Sequence, residues 1–495
     1  MIERMSSSSE VIVTYLNIIL YAISYQLQRP VEPFLVRSLI HNNKDNVNSQ
    51  EEEDEESAAN RTYGKLTSFF SCIQTIGSPL VGILLDKIGP RYTSILVYLA
   101  SALSYWILAN ATSSTWLYCS KVPTLLQHAF LVGQATVSSV CENGDSTEES
   151  SARSRAAALG RMTTAYTIGA TIGPALGGYL GASDLFAGAR LAVWGSLLSV
   201  ALSILYLKDH QLSTKKKKNE QLDECKEGEE DEQSQSTGNT NTASFLQSVQ
   251  KTSSYLRHPT IGPLLFVKLL NGISSSTFST ILPLILANKL HFTTTQLGYF
   301  MSASSLSVAV FAAVGIVPSL SFVGNRSDKL AYVGIGCRLL SIIVFGLVVT
   351  HVISNLLLVV EKTPQEENDV KITNEGFIIT TMASVAISLS SHLHATSLTT
   401  LTTGTVTRGE RGAIIGLEHS LFSLARVVGP PLGTTLLNDA SGIWRVIWIC
   451  VIMDLVLMAC LKVWSAKQYS KILVDMKMSD DGNPLLNEND HDHSD

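Results

Sequence analysis

Twelve apolar stretches, each long enough to cross a lipid bilayer, limit what this sequence can fold into. A membrane-spanning helix needs about 20 mostly apolar residues. Hydrophobic residues make up 45% of the 495 residues and charged residues only 16%, below the roughly 25% that is typical of soluble domains. The pattern predicts an all-α membrane protein, and we number its predicted spans 1 to 12. They cover residues 11–38, 63–85, 92–111, 115–140, 162–182, 189–208, 260–287, 296–318, 330–358, 376–402, 413–437 and 443–462.

Polar segments divide the twelve spans into two groups of six. The longest polar stretch, residues 209–259, lies between spans 6 and 7 and has the composition of a disordered linker. Lys and Arg are more frequent in the loops on the side of this linker, which the positive-inside rule assigns to the cytoplasm together with both termini. The predicted regions are a cytoplasmic N-terminal tail (1–10), a first six-helix bundle (11–208, with an acidic outer loop at 40–62), the linker (209–259), a second six-helix bundle (260–462) and a cytoplasmic acidic tail (463–495).

The sequence has few features of an enzyme or of a nucleic-acid-binding protein. The formal net charge is a mild −6, which does not favour nucleic acid as a partner. The seven cysteines have no paired or metal-ligand spacing, and we find no phosphate-binding loop or nucleophile motif. The first residues lack a cleavable signal pattern, so span 1 is expected to remain in the membrane. We therefore expect no cofactor, no metal and no enzymatic activity.

The two groups of spans resemble each other at fixed positions. One set of residues in and before span 5 recurs in the same order in and before span 11. The first set is Arg155, Ala157, Gly160, Gly173, Pro174, Leu176 and Gly177, and the second is Arg411, Ala413, Gly416, Gly429, Pro430, Leu432 and Gly433. Weaker repeats link span 1 with span 7 and span 2 with span 8. This order predicts two pseudo-symmetric halves, the architecture of carriers that alternate access around a central site.

The stretch GILLDKIGPR, residues 82–91, joins spans 2 and 3. Gly82 would let another helix approach closely, and Gly89 would permit a tight turn. Asp86 can face the positive N-terminus of a neighbouring helix, while Lys87 and Arg91 add basic charge at the membrane surface. The motif predicts a conformational latch, and an ordinary cytoplasmic loop is the alternative.

Glycine and proline are concentrated in spans 5 and 11. The stretches are GATIGPALGG, residues 169–178, and LARVVGPPLG, residues 424–433. Small residues four apart allow helices to pack at short distance, and a proline removes one backbone donor and allows a bend. The predicted helix-packing residues are Gly169, Gly173, Pro174, Gly177, Gly178, Gly429, Pro430 and Gly433.

Residues 82–91 resemble the cytoplasmic-loop signature of the major facilitator superfamily, except that Tyr92 stands where a second basic residue is usual. Residues 169–178 resemble the antiporter signature of the same superfamily. Other stretches resemble solute carrier family 22, in its organic-cation-transporter-like, drug:proton antiporter type. They are residues 120–134, 156–161, 266–271, 297–302 and 424–433. The resemblance implies a twelve-helix monomer, a latch that contacts span 11, and alternating access that exchanges organic cations for protons. The site residues that it suggests are Lys121, His128, Gln134, Lys268, Asn271 and Arg426.

Polar residues inside span 1 are unusual for a helix in hydrocarbon. Arg29 and Glu32 are three residues apart, so they share a helical face and can pair. Two prolines in the same segment lack backbone N–H groups and leave helix carbonyls without donors. Such backbone is tolerated where it is buried in protein or lines water. The segment from Gln26 to Pro33 is therefore predicted to form a cavity wall, in which Glu32 attracts a cation or carries a proton. Alternatively, the span ends near Gln28 and Arg29 reaches the outer surface.

Other ionisable residues are predicted to lie within spans, where a charge costs roughly 2.5–3.5 kcal/mol on insertion scales and usually faces a cavity. Arg426 lies about 20 Å into span 11 at the standard helical rise. Asp454 lies at a similar depth in span 12, so we hypothesise an Arg426–Asp454 pair. Lys121 and Lys268 lie near span ends, where snorkelling to the membrane surface is the alternative. His128 can relay protons or simply pack in the core.

The sequence therefore predicts a secondary active transporter of a small organic solute, with an organic cation exchanged for protons as the first hypothesis. An organic anion carrier is one alternative, because basic residues outnumber acidic ones among the embedded charges, and a transport-inactive sensor or scaffold is another. Asn60 and Asn110 lie in glycosylation sequons on predicted outer loops. A dileucine, Leu485 and Leu486, predicts trafficking adaptors as partners beside the solute, protons and lipid. The expected location is the plasma membrane or an endolysosomal or vacuolar membrane.

Overall fold

The computed structural model describes residues 2–41, 49–142, 148–208, 255–362, 373–406, 411–437 and 442–481. These residues are almost entirely helical and contain helices at the positions of all twelve predicted spans. The prediction of an all-α membrane protein with two six-helix bundles is confirmed. The dileucine at Leu485 and Leu486 lies outside the described residues, as does most of the predicted linker.

The first half is built from helices with several interruptions. The helix bounds are Ile2–Gln26 and Glu32–His41 for span 1, Ser49–Ala109 for spans 2 and 3 together, Ser114–Lys121 and Ala129–Glu142 for span 4, Glu148–Ser183 for span 5 and Ala187–Tyr206 for span 6. A 3-10 turn, Val122–Leu126, follows the first helix of span 4. Spans 2 and 3 are separated at Gly89, whose φ of 82° is a conformation that glycine adopts readily.

The second half has longer helices with fewer interruptions. The helix bounds are Ile261–Leu284 for span 7, Thr294–Val314 for span 8, Ser327–Lys362 for span 9, Asn374–Gly404 for span 10, Arg411–Leu436 for span 11 and Gly442–Asp481 for span 12. Span 7 continues as a π-helical turn, Ile285–Lys289, and a short helix, Ile316–Phe322, follows span 8. Each half thus contributes six spans in chain order.

Eight of the described helices are long and apolar enough to cross a membrane by length and composition alone. They correspond to spans 2, 3, 6, 7, 8, 9, 10 and 12. The remaining four are the interrupted spans 1 and 4 and the glycine-rich spans 5 and 11. Within a bilayer, interrupted backbone is tolerated where protein or a water-filled cavity surrounds it. Spans 1 and 4 therefore belong in the interior of the bundle.

Close helix packing is repeated in the two halves. Span 5 packs on span 1, where a Cβ added at Gly177 would lie 2.1 Å from the carbonyl oxygen of Leu27. Span 11 packs on span 7, where a Cβ added at Gly429 would lie 2.9 Å from the backbone nitrogen of Thr277. The other motif residues at these interfaces are Gly169, Gly173 and Gly433, with the buried prolines Pro174 and Pro430 nearby. In each half, the first span is thus in close contact with the fifth.

The two halves contact each other at one end of the bundle, which we call the closed end. There Gly178 of span 5 packs against Gly298 of span 8, since a Cβ added at Gly178 would lie 2.9 Å from the Gly298 Cα. Gly64 of span 2 packs in a similar way against the side chain of Thr434 in span 11. A large cluster of buried apolar residues at this end includes members of both halves.

At the opposite end, the open end, the halves are apart. Gly82 and Gly160 lie about five helical turns from Gly64 and Gly178, and hence on the same faces of spans 2 and 5. A Cβ added at Gly82 or Gly160 would meet nothing within 4 Å. The smaller apolar clusters near this end each belong to one half. The space between the halves is therefore reached from the open end.

Candidate solute-binding cavity

A polar cavity lies between the two halves. Its volume is about 840 Å³ when the open space continuous with its mouth is counted. Spans 1 to 4 line it from the first half, and spans 7 and 11 line it from the second. The predicted site residues that line it are Arg29, Glu32, Lys121 and Arg426.

The break in span 1 brings polar groups to this cavity. The first helix ends at Gln26 and the second begins at Glu32, because the two prolines of the segment cannot donate backbone hydrogen bonds. Between the helices, the N–H of Arg29 donates to the carbonyl of Gln26 at 3.3 Å, and the N–H of Glu32 donates to that of Gln28 at 2.9 Å. Gln28, Arg29 and Glu32 line the cavity as a result.

An ion pair joins the two interrupted spans. The Nζ of Lys121 in span 4 lies 2.6 Å from Oε1 of Glu32 in span 1. Lys121 is the last residue of its helix and Glu32 is the first residue of its helix, so each charge sits at the helix end that favours it. The expected pairing of Glu32 with Arg29 is wrong, because the three-residue spacing requires a continuous helix and the helix begins only at Glu32.

Arg29 and Arg426 bring two further positive charges to the cavity, one from each half. Within the described ranges, neither guanidinium forms an ion pair with a carboxylate. Arg426 interacts with the hydroxyl of Tyr25 across the halves. Its Cζ also lies 6.0 Å from the ring centroid of Phe422. The ion pair of Lys121 and Glu32 is neutral overall. The two arginines therefore give the cavity a net positive charge.

The hypothesised pair of Arg426 and Asp454 is wrong, because Asp454 is paired with Arg338 of span 9. The Nε of Arg338 donates to Oδ2 of Asp454 at 2.9 Å, and Nη2 donates to Oδ1. The two side chains are 2% and 0% exposed. Arg338 was not among the predicted site residues, although a lone arginine inside an apolar span indicates a buried partner or a cavity.

Residues of span 7 complete the network around this buried pair. The hydroxyl of Ser274 donates to Oδ1 of Asp454 at 3.1 Å. Nη1 of Arg338 donates to Oδ1 of Asn271 and, at 3.1 Å, to the hydroxyl of Ser275. Asn271, a predicted cavity residue, therefore belongs to a network inside the second half.

Lys268 also finds its partners within the second half. Its Nζ forms an ion pair with Glu418 of span 11 and donates to the hydroxyl of Thr399 in span 10 at 3.0 Å. The hydroxyl of Thr402 donates to the other carboxylate oxygen of Glu418. Lys268 does not line the cavity between the halves. Glu418 is a further charge that was not predicted from the sequence, although it lies within an otherwise largely apolar span.

The other predicted site residues lie away from the cavity. Gln26 is buried where span 1 packs on span 5, and His128 faces span 2. Gln134 is exposed on the second helix of span 4. Gln127, which the sequence analysis did not single out, does line the cavity, and its Nε2 donates to the hydroxyl of Tyr105 at 2.9 Å. The turn before the second helix of span 4 thus directs Gln127, and not His128, toward the cavity.

The predicted latch lies at the open end. Gly89 makes the break between spans 2 and 3, and Nη2 of Arg91 donates to the carbonyl of Ile204 in span 6 at 2.8 Å. Lys87 is exposed, and the side chain of Asp86 lies outside what the structure describes. Gly82 faces empty space, so at this position span 2 does not touch span 11.

Polar contacts join the halves at the closed end. The Nζ of Lys289 lies 3.0 Å from Oε1 of Glu56, and Nδ2 of Asn288 donates to Oδ1 of Asn60 at 3.1 Å. Burial lowers the pKa of nearby His291, and neighbouring positive charges act in the same direction. Asn60 is 2% exposed and lies within a helix. The prediction that its sequon lies on an outer loop is therefore wrong.

The two-half fold and its cavity define the class of protein: a helical membrane carrier that holds a small solute between its halves. A family model described as Major Facilitator Superfamily matches residues 14–391. The chain belongs to the Major Facilitator Superfamily, and it is a multi-pass membrane transporter of small solutes. A second model, described as PUCC protein, matches residues 294–490. The resemblance inferred from the sequence motifs is confirmed.

Curated relatives include carriers and a resistance protein. Solute carrier family 67 member A1 from Homo sapiens is 25% identical over 319 residues, which are 60% of this chain and 69% of the relative. Solute carrier family 22 member 18 from Mus musculus is 24% identical over 388 residues, which are 76% of this chain and 80% of the relative. Tetracycline resistance protein, class C, from Escherichia coli is 27% identical over 184 residues, which are 37% and 41% of the two chains.

Solved structures share the fold. A bacterial homolog of the human lysosomal transporter Spinster, in an inward-facing and unoccupied conformation, has a TM-score of 0.63 and 14% identity, covering 93% of this chain and 97% of that one. The human organic anion transporter MFSD10 (TETRAN) has a TM-score of 0.56 and 16% identity, covering 92% and 99%. At these identities the likeness establishes the fold alone.

Proposed function

We propose that this protein is a secondary active transporter that carries a small organic anion. The observation that supports the proposal is the pair of arginines, Arg29 and Arg426, which line the cavity from opposite halves without a carboxylate partner in the described part of the chain. A charge inside the membrane is costly unless water or an opposite charge compensates it. An anionic solute compensates both charges, and guanidinium groups bind carboxylate or sulfonate oxygens through strong, paired hydrogen bonds.

Aromatic side chains give the same cavity an apolar component. The rings of Tyr25 and Phe70 stack with centroids 6.1 Å apart, and Tyr63 and Tyr105 also line the cavity. Flat apolar surface with a few fixed polar groups suits an organic solute better than an inorganic ion. The substrate class that we propose is therefore an amphipathic organic anion.

The conformation fits one step of an alternating-access cycle. The distribution of Lys and Arg supports placing the open end in the cytoplasm, which makes the cavity inward-facing. In the other step, the contacts at the closed end would separate and spans 2 and 5 would approach the second half near Gly82 and Gly160. The latch residues lie where such an approach would bring them against span 11.

Replacing Arg29 or Arg426 with glutamine is expected to weaken anion uptake about 10- to 100-fold, because each variant loses charge-assisted hydrogen bonds to the solute. The measurement is uptake of 1-naphthalenesulfonate into proteoliposomes, since a sulfonate stays ionised and does not cross lipid as a neutral acid. Arg37→Gln is the matched control, because Arg37 is exposed on the same span and does not line the cavity. Unchanged sulfonate uptake in both cavity variants would contradict the proposal.

Glu32 supports a second candidate, the exchange of an organic cation for protons. Its side chain lines the cavity and is 21% exposed, so cations and protons can reach it. If this function holds, Glu32→Gln abolishes uptake of tetraethylammonium driven by a pH gradient. If the protein carries anions, the same variant frees Lys121 and maintains or increases sulfonate uptake. Binding of either probe without uptake in the wild type would instead indicate a sensor.

A further inference from the structure

Serines of span 7 lie next to both the buried pair of Arg338 and Asp454 and the cavity between the halves. Arg338 borders a second cavity inside the second half, and Ser275 and Ser279 line this side cavity together with apolar residues such as Phe278. Ser279 also lines the main cavity. Ser275 lies four residues before Ser279 on the same helical face, and its hydroxyl accepts from Arg338 at 3.1 Å. The two cavities therefore share Ser279, which lies one helical turn from the serine that Arg338 contacts.

The charge state of Asp454 decides whether Arg338 is compensated. Other titratable groups near the pair are Cys450 on span 12 and His394 on span 10. Lys268 of span 7 is already paired with Glu418 of span 11. Arg338, in contrast, donates hydrogen bonds to both carboxylate oxygens of Asp454. Protonation of Asp454 would therefore leave one uncompensated positive charge at the side cavity, which shares Ser279 with the main cavity.

Burial of an ion pair is by itself weak evidence that the pair serves stability. Replacing a buried ion pair with well-packed apolar residues is often neutral or stabilising, because desolvation offsets the attraction between the charges. Arg338 borders a cavity that contains serine as well as apolar side chains, and Asp454 lies directly behind Arg338 and is 0% exposed.

We propose that Asp454 is the proton-binding residue of this carrier and that Arg338 transmits its protonation to the anion site. The inference rests on the proposed organic anion function. A proton from the aqueous side enters through the main and side cavities and neutralises the carboxylate, which adds one positive charge to the second half. That charge strengthens binding of an anion in the main cavity, and by linkage the bound anion favours protonation by the same factor. One proton and one anionic charge cross together, so the step carries no net charge.

The variant Asp454→Asn tests this linkage, because an asparagine resembles the protonated carboxyl. Wild-type protein is expected to bind 1-naphthalenesulfonate roughly 5- to 100-fold more tightly at mildly acidic than at mildly alkaline pH. Asp454→Asn is expected to bind it at both pH values with the tighter, acidic affinity. Calorimetry on the purified full chain measures both. His394→Gln should keep the wild-type pH dependence, which excludes the nearby histidine as its source.

A double variant keeps the proposal testable if Asp454→Asn does not fold. Arg338→Gln with Asp454→Asn removes both charges and leaves no buried ion without a partner. It is expected to bind the sulfonate at both pH values with the weaker, alkaline affinity of the wild type. In proteoliposomes, a pH gradient should drive sulfonate uptake by the wild type, and membrane potential should not. In the double variant the anion crosses without a proton, so membrane potential should drive its uptake.

The possible outcomes separate this inference from the proposed function. Sulfonate binding with the same pH dependence in the wild type and in either Asp454 variant would overturn the role of Asp454. Wild-type binding that does not depend on pH would overturn it as well, while leaving an anion carrier in place. If wild-type protein does not bind the sulfonate at either pH, the anion function fails, and the inference fails with it.

Discussion

Gly178→Leu is expected to stop transport, because a leucine side chain does not fit where spans 5 and 8 meet. A Cβ added at Gly178 would already lie 2.3 Å from the carbonyl oxygen of Thr294 and 2.9 Å from the Cα of Gly298. Both are backbone atoms of the opposite half, so they cannot move aside as the tip of a flexible side chain can. A carrier that cannot close one end cannot alternate access, and we expect sulfonate uptake to fall roughly tenfold or more.

Contact between the two halves at the closed end can be measured without a solute. Asn60 and Asn288 form a hydrogen bond of 3.1 Å across the closed end, so Asn60→Cys with Asn288→Cys is expected to be cross-linked by a short bifunctional maleimide, which bridges thiols too far apart for a disulfide, in an otherwise wild-type chain. Gly178→Leu should prevent the cross-link. Gly160→Leu is the matched control on the same span, because a Cβ there meets nothing within 4 Å in this conformation. A cross-link that forms equally well with Gly178→Leu would mean that the closed end accommodates the added side chain.

The fold was predictable because hydrocarbon leaves few options for a chain of this composition. Every backbone polar group must be paired inside the membrane, so twelve apolar stretches predict helices without any knowledge of their contacts. The repeated glycines of spans 5 and 11 also indicated close packing, because small residues are needed wherever helix backbones touch. Their partners, spans 1 and 7, could not be read from the sequence, since spacing along one helix does not identify the helix that it faces.

The candidate site was predictable in part. Arg29, Glu32, Lys121 and Arg426 could be placed in a cavity because charges at membrane depth need water or a partner. Their pairing could not be predicted. Depth along span 11 suggested that Arg426 meets Asp454, but depth does not specify which face of a helix a side chain occupies. Arg338 also lies within an apolar span, and it is the residue that faces Asp454.

Removing one member of the buried pair is expected to have the largest effect on stability. Arg338→Ala leaves the Asp454 carboxylate, which is 0% exposed, without its bidentate partner. Loss of one partner from a buried ion pair typically costs about 3–5 kcal/mol of unfolding free energy. Thermal or denaturant unfolding of the purified protein in detergent measures the change.

Two comparisons show whether burial of the charges is the cause. Arg190→Ala also removes an ion pair, with Asp184, but these two side chains are 57% and 37% exposed, so its loss should cost only about 0–1 kcal/mol. Arg338→Met with Asp454→Leu removes both charges and should recover most of the stability, because no ion is then left buried alone. If Arg338→Ala costs no more than Arg190→Ala, water already solvates the pair, and the buried network does not hold spans 7, 9 and 12 together. If the double variant is stable but its uptake no longer responds to a pH gradient, then the pair serves coupling and not folding.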